Sequence, residues 1–268
     1  MVYNRFDIFF IYILAHFLAQ IKCYALNFSL DGGFHLEQIY TIPVNEAFDA
    51  VRDKPELGCP FCLLYKKLQD DELDIILGAS MMEPDIRIKT NEQGFCHAHH
   101  IMMQRRKRML GIGLMLESHL AEVEKKIDGP RLGNRARGSV AALGELEADC
   151  YVCKRIAKNL SAMTATAVYL WEVDPEFRKK FSAAPYFCLP HYRAMIDYAE
   201  KKMNKKLFRE FYEVAHGIEK KYITELQGDV KWFCKKFDYR YDEEPWYNAK
   251  DSVFRAEKFL SGDFGWEG

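Results

Sequence analysis

At 268 residues the chain fits one large domain or two small ones. Its 49% apolar and 29% charged residues describe an ordinary globular protein rather than a disordered or fibrous one. The formal net charge of −1 removes any global pull toward nucleic acid or an anionic membrane.

The N-terminal stretch IFFIYILAHFLAQI, Ile8 to Ile21, is apolar but short, and His16 and Gln20 interrupt it. A spanning helix needs about 20 apolar residues. Three readings stand for residues 1–35. The first is a non-native extension: DGGFHL can carry a ribosome-binding sequence over Gly32 and Gly33 ahead of a start codon at Leu36, and no Met occurs between Met1 and Met81. The second is a signal or membrane anchor, with a weak cleavage site after Ala25. The third is a structured segment. The first is preferred, which gives a cytoplasmic protein; the second would make it secreted or membrane-associated.

Beyond Leu36 the chain repeats itself. An offset of 91 lays CPFC (Cys59 to Cys62) on CYVC (Cys150 to Cys153), and EPDIR (Glu83 to Arg87) on DPEFR (Asp174 to Arg178). With one inserted residue the offset becomes 92, and FCHAHH lands on FCLPHY. Three motifs in order with one gap predict a duplicated unit. The expected organisation is a first half over 36–129, a linker over 130–140, a second half over 141–226 and an aromatic-rich C-terminal segment over 227–268. The Gly, Pro, Asn and Arg content of DGPRLGNRARGS marks the linker.

The periodicity is helical throughout. After the first CxxC, Leu64, Leu68, Ile75 and Ile76 share a face. EPD and DPE read as helix starts, with an acidic cap and Pro in the first turn. A long helix is expected from Cys96 to about Lys126, bent near Gly111 and Gly113, and another helical region from Pro190 to about Leu226. No run of alternating strands is found. The predicted class is all-α, as two homologous helical halves.

Each half carries a CxxC, then 33 or 34 residues, then a CxxH. Of eight cysteines, six fall in these motifs, which suits metal ligation better than a disulfide scaffold. Cysteine and histidine at i and i+3 are neighbours on a first helical turn, and tetrahedral zinc takes four such ligands. Of His97, His99 and His100, only His99 has a histidine counterpart, His191; Leu189 and Tyr192 match the others. Two zinc ions are therefore expected. Matching spacing groups Cys59, Cys62, Cys96 and His99 at one, and Cys150, Cys153, Cys188 and His191 at the other. Redox dithiols, disulfides and an iron–sulfur centre are the alternatives. Four ligands per site describe a closed structural centre rather than a catalytic one with an open position. Cys23 and Cys234 stand alone as ordinary thiols, Cys234 half-buried.

QRRKR, Gln104 to Arg108, could contact phosphate, but a solvated helix surface is the simpler reading. Met102, Met103, Met109 and Met115 are expected in a core, and Trp246, Tyr247 and Phe254 are expected to dock the tail across the halves. No GxSxG, P-loop, Rossmann fingerprint or HExxH occurs.

With IYTIPVNEAF (Ile39 to Phe48), CPFC, SMMEPDIR, GFCHAHH, GLMLESHL and KFDYRYDEEPW together, the chain resembles, over about 37–262, a bacterial family known as domain of unknown function 6062, found mainly in clostridia-like Firmicutes. The resemblance implies a native start just before YTIPVNEAF, near Leu36, and supplies no activity. The function expected is a non-enzymatic zinc protein acting as a protein-interaction or regulatory adaptor. A thiol-based redox or metal-responsive switch is the alternative, and nucleic-acid binding through a basic helix at 104–108 a further one. The charge argues against nucleic acid, no membrane is implied unless 8–21 is genuine, and a small-molecule ligand stays open.

Overall fold

The computed structural model describes residues 39–263 apart from Arg131. Residues 1–35, with the three readings made of them, and Cys23 lie outside the described residues. The described chain is all-α, with no strand, and among the described residues no helix is long and apolar enough to cross a membrane.

The helices are α1 (Thr41–Asp53), α2 (Pro60–Ile76), α3 (Pro84–Gln93), α4 (His97–Arg105), α5 (Met109–Asp128), α6 (Arg135–Glu147), α7 (Tyr151–Val173), α8 (Pro175–Ser182), α9 (Leu189–Lys202), α10 (Lys205–Lys235) and α11 (Ser252–Ser261). Proline opens α2, and Asp174 caps α8 by accepting from the Glu176 N–H at 2.9 Å. Glu83 occupies the cap position of α3 without a side-chain bond.

The chain forms two compact units. The first holds Leu68–Asn159; within the described residues the second holds 39–67 and 160–263. These units cut across the two sequence halves, and their boundaries fall inside α2 and α7.

In the first unit α5 packs on α3, α4 and α6. Met103, Ile112, Met115 and Val152 are buried there, whereas Met109 is exposed, so only part of the methionine stretch is core. Buried Glu72 receives the Arg155 guanidinium at 3.0 Å. The helix expected from Cys96 to Lys126 is broken, and not at the glycines. Gly111 and Gly113 lie inside α5, while the break falls at 106–108, where Lys107 has φ 55°. Arg106 is held there by Asp70 and by Asp74, the latter at 3.2 Å. The run QRRKR is thus mostly a connector and not a basic helix. The expected linker is also shorter, because Asn134 accepts from the Arg137 N–H at 3.0 Å and starts α6 inside it.

The second unit is built on phenylalanine. Phe48, Phe61, Phe177, Phe181, Phe187 and Phe211 are fully buried. Phe48 is central, with ring centroids 4.8 Å from Phe177, 5.8 Å from Phe61 and Phe181, and 6.2 Å from Phe187. It comes from α1, whose Val44, Ala47, Phe48 and Val51 form one buried stripe at helical spacing. Burying each such ring contributes about 1.5–3 kcal/mol. α11 packs on α9 and α10. Trp246 stacks against Phe233 and Lys236, while Tyr247 and Phe254 are exposed, so the tail docks through Trp246 and α11 rather than through all three aromatics.

Candidate metal centres

The chain places four of its cysteines at or beside helix starts. Cys96 and Cys188 are the cap residues of α4 and α9, in extended conformation. Cys59 and Cys150 directly precede α2 and α7, and their carbonyls accept from the Leu63 and Lys154 N–H groups. In each motif the second ligand, three residues on, lies in the first helical turn. Helix N-termini favour the ionised thiol. The motifs are anchored from behind: Phe61 within CPFC and Phe187 before Cys188 belong to the phenylalanine core, and Val152 within CYVC is fully buried.

The eight side chains gather in two clusters. Cys59, Cys62, Cys188 and His191 form one, within the second unit; Cys96, His99, Cys150 and Cys153 form the other, within the first. This overturns the grouping by sequence half: each CxxC meets the CxxH of the other half. Helix length gives the reason. From Cys62 to its end at Ile76, α2 carries the chain about 21 Å, and the ten residues of α3 retrace at most about 15 Å. The 23 residues of α7 span about 35 Å against about 12 Å for the eight of α8. Neither short helix by itself covers the distance back from its own CxxC. His97 is exposed and His100 half-buried over Phe95, and neither joins a cluster. Cys234 is exposed rather than half-buried.

The donor spacing tests the fit to zinc. A tetrahedron with Zn–S of about 2.3 Å and Zn–N of about 2.0 Å has S···S edges of about 3.8 Å and S···N edges of about 3.5 Å. In the first unit's cluster His99 Nδ1 lies 3.1, 3.3 and 3.5 Å from the sulfurs of Cys96, Cys150 and Cys153, and Cys96 Sγ lies 3.8 Å from Cys153 Sγ. In the other, His191 Nδ1 lies 3.6, 3.6 and 3.0 Å from Cys59, Cys62 and Cys188, with Cys62 Sγ 3.6 Å from Cys188 Sγ. These four separations in each cluster lie within about 0.5 Å of tetrahedral edges, and all four donors of each set lie within 4.8 Å of one another.

The electrostatics agree. Hydrogen bonds from Cys150, Cys153 and His99 hold the Cys96 thiol well below the ordinary range against its burial. His99 is lowered by burial, but Cys150 and Cys96 outweigh this and push it up to about 9. In the other cluster burial raises Cys59, yet hydrogen bonds from Cys188, Cys62 and His191 leave it low, while Cys62 and Cys188 are held high. One thiolate is thus favoured in each cluster, at Cys96 and at Cys59, and a bound divalent ion would draw the protons off the thiols that coordinate it.

Several supporting residues carry no sequence motif. Gly58, with φ 80°, turns the chain into Cys59 beneath the Tyr186 ring. The Asp263 N–H donates to Cys62 Sγ at 3.3 Å, and its carboxylate is fixed by Lys66 and Lys258 at 2.8 and 3.0 Å. Buried Glu219 accepts from the Phe187 N–H at 2.7 Å beside Cys188, and burial pushes its carboxyl up to about 8. Gln69 reaches His99. Only Glu219 leaves a trace in the sequence, as a lone acid on the stripe of Phe211, Ala215 and Leu226.

The model of a family of unknown function, DUF6062, matches residues 36–266. The chain belongs to this family. No curated protein and no solved structure matches it.

Proposed function

We propose that the protein binds two zinc ions as closed structural centres and acts as a protein-interaction adaptor rather than a catalyst. The observation that carries this is the pair of four-donor sets at tetrahedral spacing, with no donor position left over for a substrate. Zinc, when bound, supplies positive charge to the three thiolates of each set. The chain's part is to hold one helix start against another at each centre, and in a small helical unit that binding energy is folding energy. Exposed Phe237, Tyr239, Tyr247 and Phe254 in the C-terminal segment support a docking role. Thiolate ligands also suit a reducing compartment, so we place the protein in the cytoplasm.

The test is chelation. The full chain, purified without chelator, is expected to carry about two zinc ions and to lose most of its helical circular dichroism when they are stripped. A chain that keeps its helices and cooperative unfolding without metal contradicts a structural role.

One observation favours a second reading, a thiol switch: Cys96 and Cys153 are only partly buried, whereas all four side chains of the other cluster are buried. The first unit's centre is then the one a peroxide reaches.

A further inference from the structure

His99 has two ring nitrogens, and only one of them faces the sulfurs. Nδ1 points at Cys96, Cys150 and Cys153. Nε2 points the other way and stands 3.3 Å from Nε2 of Gln69. Gln69 is 6% exposed and His99 2% exposed, so water does not compete for this contact.

We infer that Gln69 is the positioning residue of this centre, the outer partner that fixes the tautomer and ring plane of His99. The inference rests on the metal reading of the site. When Nδ1 donates its lone pair to a metal, the ring proton must sit on Nε2. A buried Nε2–H then needs an acceptor, and Gln69 is the side chain in place to give one. Its amide meets the need by presenting Oε1. When instead the proton lies on Nδ1, shared with the sulfurs, Nε2 is an acceptor that the NH2 group of Gln69 can serve, and the amide nitrogen is the atom facing the ring here. A half-turn of one amide interconverts the two with almost no change of shape. A carboxylate could serve only the first form and an apolar side chain neither.

Gln69 stands ten residues after Cys59. Ten residues after Cys150 stands Leu160, which has no polar atom to offer. The substitution Gln69→Leu therefore puts the apolar residue of the sequence counterpart in place of Gln69.

The experiment uses the full zinc-loaded chain and a chromophoric chelator that removes the ions stepwise. The step belonging to the first unit is the one abolished by Cys150→Ser. Gln69→Leu is expected to weaken that step about 10–100-fold and leave the other within threefold. Gln69→Glu, which keeps an acceptor, is expected to recover it to within about tenfold of the parent. Nitrogen-15 spectra of the unsubstituted chain should show a slowly exchanging proton on Nε2 of a metal-bound histidine, and this readout stands even where Gln69→Leu fails to fold. An unchanged step in Gln69→Leu, an equal loss at both centres, a Gln69→Glu variant as weak as Gln69→Leu, or an unprotonated Nε2 overturns the inference. A chain that takes up no zinc at the Cys150 step overturns the metal reading, and the role of Gln69 with it.

Discussion

Gly58→Ala perturbs the chain directly before the first ligand cysteine. Gly58 sits at φ 80°, ψ −130°, a conformation that side chains with a Cβ avoid. Holding alanine there costs about 1–3 kcal/mol. The new Cβ would also stand 2.6 Å from the hydroxyl oxygen of Tyr186, which must move. Tyr186 is buried and stacked on Tyr222, ring centroids 4.1 Å apart, so moving it loosens a pair worth about 0.5–1.5 kcal/mol. Strain and loosened stack together come to about 1.5–4.5 kcal/mol. The chain can escape the strain by shifting Cys59, and then the cost appears as metal affinity: 2 kcal/mol is about 30-fold. Urea unfolding of the zinc-loaded protein should show the loss of stability, and dialysis against a mild chelator should remove one ion before the other. A variant within about 0.5 kcal/mol of the parent, with both ions retained, would refute the reasoning.

Three further outcomes are expected. Glu219 holds a proton in the native state up to about pH 8 that an ordinary carboxyl gives up near 4.5, so the unfolded chain binds fewer protons between these values and stability falls as pH rises through that window. Glu219→Gln keeps an acceptor for the Phe187 N–H and should flatten this slope; melting curves from pH 5 to 8 that stay parallel to the parent's would count against it. Phe48→Ala removes the central ring of the phenylalanine cluster and should cost about 3–5 kcal/mol in denaturant unfolding, with a loss under 1 kcal/mol as the contrary result. Mild peroxide should release the ion held by partly buried Cys96 and Cys153 before the other, as read by a zinc indicator in the parent and in Cys150→Ser; simultaneous release would argue against the switch.

The helical class was legible because its signals are local: caps at Asp174, proline at helix starts and the apolar stripes. The helix break was not, because glycine is a visible breaker, whereas Lys107 takes its positive φ beside an Arg106 held by the distant Asp70 and Asp74. The clustering side chains were legible for a similar reason. Paired cysteines and an i, i+3 cysteine–histidine pair are short-range patterns. Their partnership is a long-range fact, and equal spacing in the two halves suggested the wrong one. The lengths of α2 and α7, each greater than that of the short helix after it, were a hint toward the observed pairing. Gln69 and Asp263 lay beyond reach, since a glutamine on a helix and an N–H near the chain's end carry no pattern of their own.

Pairs of substitutions test directly whether each CxxC shares a metal ion with the CxxH of the other half. Zinc per chain should be measured by elemental mass spectrometry in Cys59→Ser/Cys188→Ser and in Cys59→Ser/Cys96→Ser. The first pair strikes one centre twice and should leave about one ion; the second strikes both and should leave none. One ion kept in Cys59→Ser/Cys96→Ser and none in Cys59→Ser/Cys188→Ser would contradict the account.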